Sequence, residues 1–245
     1  MRQTDTRLAA RLAARAGELL LELRATSGLV GKQLGARGDA DANAYLLREL
    51  ASARSDDAVL SEEAADSPAR LANRRVWIVD PLDGTREFAM PGRSDWAVHV
   101  ALWEAGRGIT AAAVAQPALG AVYASDDVRT VHVERQRPVI VVSDSRPPGF
   151  APAVAATLGA ELLRMGSAGA KAMAVVRGDA DAYLHAGGQW EWDSAAPVGV
   201  AQAAGLTASR ISGAALEYNQ PHPYVPDLLV CRPELAQQLI QTIAE

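Results

Sequence analysis

Cysteine occurs once in this chain, phenylalanine twice, and aromatic residues make up only 5% of its 245 positions. A lone Cys231, set in the apolar run Leu228-Leu229-Val230-Cys231, builds no disulfide framework and reads as a packed core thiol, so a reducing cytoplasm is the expected location. Basic charge is also in short supply: the net charge is −5, and no cluster of basic and aromatic residues offers a footprint for nucleic acid. The four histidines, His99, His132, His185 and His222, lack His-x-His or His-x-x-x-His spacing, which disfavours a zinc hydrolase; His99, in an alternating run, reads as structural. Apolar stretches are broken by charge too often to span a bilayer. The opening Met1-Arg2-Gln3-Thr4-Asp5-Thr6-Arg7 has no signal-peptide core, so no leader is expected. Internal repeats and low-complexity linkers are absent as well.

What remains suits a globular enzyme, since 49% apolar content can bury one large core or two fused ones. Leu8, Leu12, Ala16, Leu19, Leu20 and Leu23 form one stripe of a helix over Asp5 to Arg24, and a second helix is predicted from Asp39 to Ala53. Val59 to Ser61 and Val76 to Val79 read as strands, the latter stopped by Pro81 and Gly84. Antiparallel strands are predicted at Asp95 to Trp103, Ile109 to Gln116, Ala121 to Ala124 and Thr130 to Glu134. From Pro138 the pattern changes to strands at Val139 to Val142, Leu162 to Met165, Ala180 to His185 and Leu228 to Cys231. These alternate with helices at Pro148 to Leu158, Ala168 to Arg177, Asp193 to Ala204 and Pro233 to Ala244. The shift from hairpins to strand-helix units predicts an N-terminal α+β half, 1–137, with the antiparallel sheet and the main acidic motifs, and a C-terminal α/β half, 138–245.

The chemistry concentrates in Val76-Trp77-Ile78-Val79-Asp80-Pro81-Leu82-Asp83-Gly84-Thr85, where a buried strand delivers two carboxylates and a hydroxyl into one turn. Carboxylates three residues apart can converge on a point, and their repulsion then calls for a cation or strong hydrogen bonds. The Leu82 carbonyl adds a neutral oxygen, and the Gly84 and Thr85 N–H groups can face an anion. All-oxygen ligation suits Mg²⁺. On spacing alone, Asp83-Gly84 as a plain turn with Asp80 as a cap is an equal reading. Two further blocks put acids at element ends: Ser61-Glu62-Glu63 after a strand, and Trp192-Asp193-Ser194-Ala195-Ala196-Pro197 opening a helix. By themselves Glu62 and Glu63 could be a solvated loop end and Asp193 a helix cap.

In this order and spacing the three blocks resemble the magnesium-dependent, lithium-sensitive phosphatases that include inositol monophosphatases, fructose-1,6-bisphosphatases and 3′-phosphoadenosine-5′-phosphate phosphatases. Ser61-Glu62-Glu63, Asp83-Gly84-Thr85-Arg86-Glu87-Phe88 and Gly166-Ser167-Ala168-Gly169-Ala170-Lys171 are most similar to the CysQ branch, which acts on adenosine 3′,5′-bisphosphate. The resemblance covers nearly the whole chain and implies a layered α/β/α/β/α sandwich with the site between its halves. It makes Glu62, Asp80, the Leu82 carbonyl, Asp83 and Asp193 ligands of two or three Mg²⁺ ions. Thr85 then orients the attacking water, paired with an aspartate upstream of Glu62. Asp39 and Asp41 compete for that role. Asp39 is preferred because Ala42, Leu46 and Leu50 share its helical face, whereas counting from Asp41 puts Arg48 in the apolar stripe. The Arg37-Gly38 that precedes Asp39 departs from the Thr-Ala usual in the family.

Substrate contacts are expected from Glu62, Leu82, Asp83, Gly84, Thr85, Ser143, Arg146, Ser167, Lys171 and Asp193. Ser143 and Arg146 follow a strand and suit ribose and phosphate, or form an ordinary Ser-rich turn. Ser167 and Lys171 open a helix that either receives a nucleotide or is simply a helix start. Arg86 either meets phosphate or pairs with Glu87. Gln189, Trp190, Glu191 and Trp192 either wall the leaving group or pack in the core. Inositol phosphate or fructose 1,6-bisphosphate would use the same metals and is the alternative specificity; a non-catalytic phosphometabolite sensor is the alternative class. The resemblance also implies a homodimer and a small phosphate ester as partner; the acidic balance and the interrupted apolar runs argue against nucleic acid and membrane.

Overall fold

A computed structural model describes residues 3–244; Met1 and Arg2, which head the segment read above as leaderless, and Glu245 lie outside that range. Helix α1 (Asp5–Thr26) starts where the Thr4 hydroxyl accepts the Arg7 N–H, and its Leu8, Leu12, Ala16 and Leu20 stripe is fully buried. Helix α2 (Gly31–Ala53) begins eight residues earlier than expected from its sequence. Gly35 and Gly38 are contact points there, not breakers. A Cβ on Gly35 would lie 2.7 Å from Thr85 Cγ2, and one on Gly38 would lie 2.9 Å from the Phe88 ring and 3.0 Å from Leu82 Cδ2. Asp39 is therefore a mid-helix residue that meets Thr85 of the next layer, not the first residue of the helix.

That layer is a sheet of β1 (Ala58–Ser61), β2 (Arg75–Asp83), β3 (Ala97–Glu104), β4 (Gly108–Gln116) and β5 (Ala121–Ala124) in sequence order. β1 and β2 are parallel and the remaining pairs antiparallel. Period-two alternation sends Trp77 and Val79 of β2 toward α1 and α2, and Val76 and Ile78 to the opposite face. β2 does not stop at Val79. It runs through Pro81 to Asp83, with its register against β3 shifted between Asp80 and Asp83, and this bulge re-aims the acids. Gly84, at φ 88°, then turns the chain into the single helical turn α3 (Thr85–Phe88).

The second sheet has the order β7 (Glu161–Met165), β6 (Val139–Ser143), β8 (Ala182–Trp190), β10 (Tyr224–Cys231), β9 (Thr207–Ser209). β6 is parallel to β7 and β8, whereas β10 is antiparallel to β8 and β9. Helices α5 (Ala168–Val176) and α6 (Glu191–Ala203) fill the space between the sheets, and α4 (Ala151–Leu158) and α7 (Pro233–Ala244) cover the outer face of the second. The result is the expected five-layer α/β/α/β/α sandwich. Gly199 lets α6 press on β4, since a Cβ there would lie 2.7 Å from Ala112 and Ile109.

Three further sequence expectations fail locally. Thr130 to Glu134 forms no strand; its Val131 and Val133 alternate but are exposed, and the segment is pinned instead by Val131 N–H to the Val176 carbonyl. β8 continues past His185 because Gly187 and Gly188 adopt φ 98° and 89°, and a Cβ on Gly188 would lie 2.0 Å from the Tyr224 hydroxyl. The helix predicted from Pro148 starts at Ala151. Among the described residues no helix is long and apolar enough to cross a membrane.

Candidate active site

Asp80, Asp83 and Asp193 each place one carboxylate oxygen within 4.8 Å of the others, although the last is over a hundred residues away in sequence. Asp80 is buried in β2 just before the bulge, with its Oδ1 accepting the Leu82 N–H at 3.0 Å. Asp83, across the bulge, faces the N-terminus of α5. Its Oδ2 accepts from the Ser167 hydroxyl at 2.5 Å and the Gly169 N–H at 2.7 Å, and its Oδ1 from the Ala168 N–H at 3.1 Å. Ser167 holds that position with a strained φ of 52°. Asp193 lies within the first turn of α6, where its Oδ2 accepts the Trp190 N–H at 2.6 Å.

Electrostatics describe a cluster short of positive charge. Burial, followed by the charges of Glu62, Asp83 and Asp193, raises Asp80 well above the ordinary carboxylate range. Burial and then Asp193 push Glu62 up to about 7, and burial and then Asp83 push Asp193 to about 6. Burial would raise Asp83 too, but the nearby His99 charge and contact, Lys171 and Ser167 outweigh it and hold this carboxyl at about 2. Buried acids that repel one another, with only oxygen donors around them, fit a hard divalent cation. Glu62 stands outside the tight trio, on the wall of the same cavity.

The Thr85 hydroxyl lies 3.1 Å from Asp39 Oδ1 and 3.1 Å from the Leu82 carbonyl. Burial, with repulsion from Glu63 behind it, lifts Asp39 to about 6 despite the Thr85 bond. Asp41 instead pairs with Arg37 on the exposed face of α2, at 2.6 Å.

The cavity beside this cluster measures about 550 Å³ and reaches from Asp83, Gly84 and Thr85 to the second sheet. Ser143 and Arg146 line one wall; the Ser143 hydroxyl accepts the Arg146 N–H, and the Arg146 guanidinium has no protein partner among the described residues. Lys171 also lines it, but its ammonium is turned back onto the Ser167 and Gly166 carbonyls at 2.6 and 3.2 Å and lies over the Tyr183 ring. Arg86, on the cavity lining, pairs with both Glu87 and Asp144 and so joins α3 to the segment that follows β6.

Sequence reading missed three features here. Arg93 reaches Asp95 and Asp144, adding to the clasp begun by Arg86. Tyr224 stands edge-on to Trp190 at 5.8 Å, and these two exposed rings form an aromatic wall. His99 is wholly buried against the acidic trio, 3.2 Å from Asp83. The alternation of β3, which puts His99 on one face with Ala97 and Ala101, carried that signal.

The chain belongs to the inositol monophosphatase family, whose model matches residues 1–245. It is 54% identical to the 3′-phosphoadenosine 5′-phosphate phosphatase of Mycobacterium leprae, over 99% of this chain and 94% of that protein. It is 32% identical to the 3′(2′),5′-bisphosphate nucleotidase CysQ of Salmonella typhimurium, over 74% and 77% of the two chains. The fold also matches the crystal structure of inositol monophosphatase II from Staphylococcus aureus, with TM-score 0.79 and 19% identity over 94% of this chain and 89% of that one.

Proposed function

We propose that this protein removes the 3′-phosphate of adenosine 3′,5′-bisphosphate, and of its sulfated form, by direct attack of water. The observation that carries this reading is one cavity with three kinds of wall: an oxygen-only acidic cluster, an Arg146 guanidinium without a partner among the described residues, and the exposed rings of Trp190 and Tyr224. These suit, in turn, a phosphate to be cleaved, a phosphate to be held, and a base to be stacked. An inositol phosphate has no use for the last. The mycobacterial and CysQ relatives, by their names, act on the same nucleotide class.

Glu62, Asp80, the Leu82 carbonyl, Asp83 and Asp193 would hold two or three Mg²⁺ ions. When bound, these ions supply charge neutralisation at the phosphate and the leaving 3′-oxygen and acidify a water. Thr85 donates its proton to Asp39, which leaves the hydroxyl oxygen free to accept from that water and aim it. With an elevated value of about 6, Asp39 is matched to proton transfer near neutral pH. Gly84 and Ser167 complete the phosphate cradle, Ser143 and Arg146 take the ribose and 5′-phosphate, and Lys171, its ammonium held by the Gly166 and Ser167 carbonyls, adds positive charge behind them. On this reading residues 1–137 carry the main metal motifs, and 138–245 add Asp193 and select the substrate, in a cytoplasmic homodimer. Turnover in ¹⁸O-labelled water tests the reaction. One ¹⁸O should enter inorganic phosphate, with adenosine 5′-phosphate as the sole nucleotide product; adenosine 3′-phosphate as product would overturn the assignment.

A further inference from the structure

His99 lies at the centre of β3 with no solvent exposure, on the face shared with Ala97 and Ala101 that looks toward α5 and α6. One imidazole there touches the chain segments that hold all three acids of the trio. Its Nδ1 donates to the Trp192 carbonyl at 3.0 Å, immediately before Asp193 in the first turn of α6. Its Nε2 lies 3.2 Å from Asp83 Oδ2, and Nδ1 is 4.0 Å from Asp80 Oδ2.

Space for the ring is made by Gly169, whose missing Cβ would lie 2.1 Å from Nε2. The Gly169 N–H meanwhile donates to the same Asp83 oxygen that His99 approaches. Each carboxylate oxygen offers about two lone pairs. Ser167 and Gly169 fill Oδ2, so the buried Nε2 meets it as a charge contact and has no hydrogen-bond partner among the described residues, whereas Oδ1 takes only the Ala168 N–H and keeps capacity for another partner. Ordinary core packing does not call for a buried imidazole whose two nitrogens face two ligand-bearing segments, one on the neighbouring strand β2 and one on α6 in the adjacent layer.

We infer that His99 is a positioning residue: it fixes Asp83 against Asp193, and thereby presets the divalent-cation site across the seam between the first sheet and α6. The inference rests on the cluster binding a cation, and not on which ester is cleaved. Groups that orient metal-binding carboxylates typically change metal affinity or activity by about 10- to 100-fold when removed.

Mn²⁺ binding followed by electron paramagnetic resonance, without substrate, tests it. His99→Ala should weaken Mn²⁺ binding by about tenfold or more, while the KM for substrate at saturating Mg²⁺ stays near that of the wild type. His99→Asn, which retains an N–H donor, should recover part of the loss. A folded His99→Ala or His99→Asn protein that binds Mn²⁺ as the wild type does would overturn the inference. In the wild-type protein, the ¹⁵N resonances of the His99 ring should move on addition of Mg²⁺. Unmoved resonances in a protein that binds Mg²⁺ would overturn it even where neither variant folds, whereas no Mg²⁺ binding at all would overturn the cation reading itself.

Discussion

Thr85 Oγ1 stands 3.1 Å from Asp39 Oδ1, so a single hydroxyl ties the middle of α2 to the turn that carries Asp80 and Asp83. The Leu82 carbonyl competes for the same proton at the same distance. When Asp39 takes it, the hydroxyl oxygen is left as an acceptor in the cavity. Thr85→Ala and Asp39→Asn should therefore each lower kcat by about 10²- to 10⁴-fold, with KM changed only a few-fold. Thr85→Ser should retain most activity, and Asp41→Asn, altering an exposed pair with Arg37, should be close to wild type. Steady-state kinetics decide; loss of activity in Asp41→Asn with retention in Asp39→Asn would reverse the assignment.

Asp83→Asn keeps the shape of the side chain but removes the charge that the α5 N-terminus and His99 surround. Turnover should fall by about 10³-fold or more, the scale of a lost metal-stabilised transition state. Far-ultraviolet circular dichroism should remain that of the wild type. Undiminished phosphate release by this variant would remove Asp83 from the site.

The acid cluster makes metal-free stability depend on pH with a definite sign. Asp39 and Asp193 at about 6 and Glu62 at about 7 lie above their unfolded values near 4, so the folded chain holds extra protons between those limits. Their contribution is complete below the unfolded values and disappears as pH rises through 6 to 7. Asp83, at about 2, acts the other way, and its contribution is lost only as pH falls toward that value. The Tm in chelator should be higher at pH 5 than at pH 7.5, and Mg²⁺ should raise it more at pH 7.5. Equal Tm at both pH values in chelator would contradict the clustering of these acids.

Trp190 and Tyr224 are exposed, where large rings contribute little to folding. Stacking of a base on an aromatic ring is worth about 1–3 kcal/mol. Trp190→Ala should raise KM for the nucleotide by about 5- to 150-fold and leave kcat nearly unchanged. An unchanged KM would mean that the base binds elsewhere.

Gly38→Ala places a methyl group 2.9 Å from Phe88, 3.0 Å from Leu82 and 3.1 Å from Leu20, and none of these can retreat freely in a filled core. Denaturant unfolding should show a loss of about 1–3 kcal/mol. A neutral or stabilising effect, as for a glycine in an open helix, would show that α2 does not press on the turn.

Much of this was legible in the chain because the relevant signals are local. Alternation in β3 and β4, the stripe of α1 and the strand-end acids each follow from residues a few positions apart. The start of α2 was not legible, because Gly35 and Gly38 break helices in isolation and are tolerated only where Thr85, Phe88 and Leu82 press close. The extension of β8 through Gly187 and Gly188 depends likewise on Tyr224 from a distant strand. His99 looked structural since a single imidazole in a strand carries no ligand spacing; its meaning comes from Asp83 and Trp192, brought to it by two different elements. The pairing of Asp39 with Thr85 could be narrowed from the helical stripe, but the geometry that separates it from Asp41 is tertiary.

The most direct measurement is phosphate release from adenosine 3′,5′-bisphosphate, inositol 1-phosphate and fructose 1,6-bisphosphate at matched concentrations, in Mg²⁺, in chelator, and in Mg²⁺ with lithium. The expected result is a kcat/KM for the nucleotide at least about tenfold above the others, as one stacked base allows, abolished by chelator and inhibited by lithium. Preference for the inositol or sugar phosphate, or release that persists without a divalent cation, would contradict it.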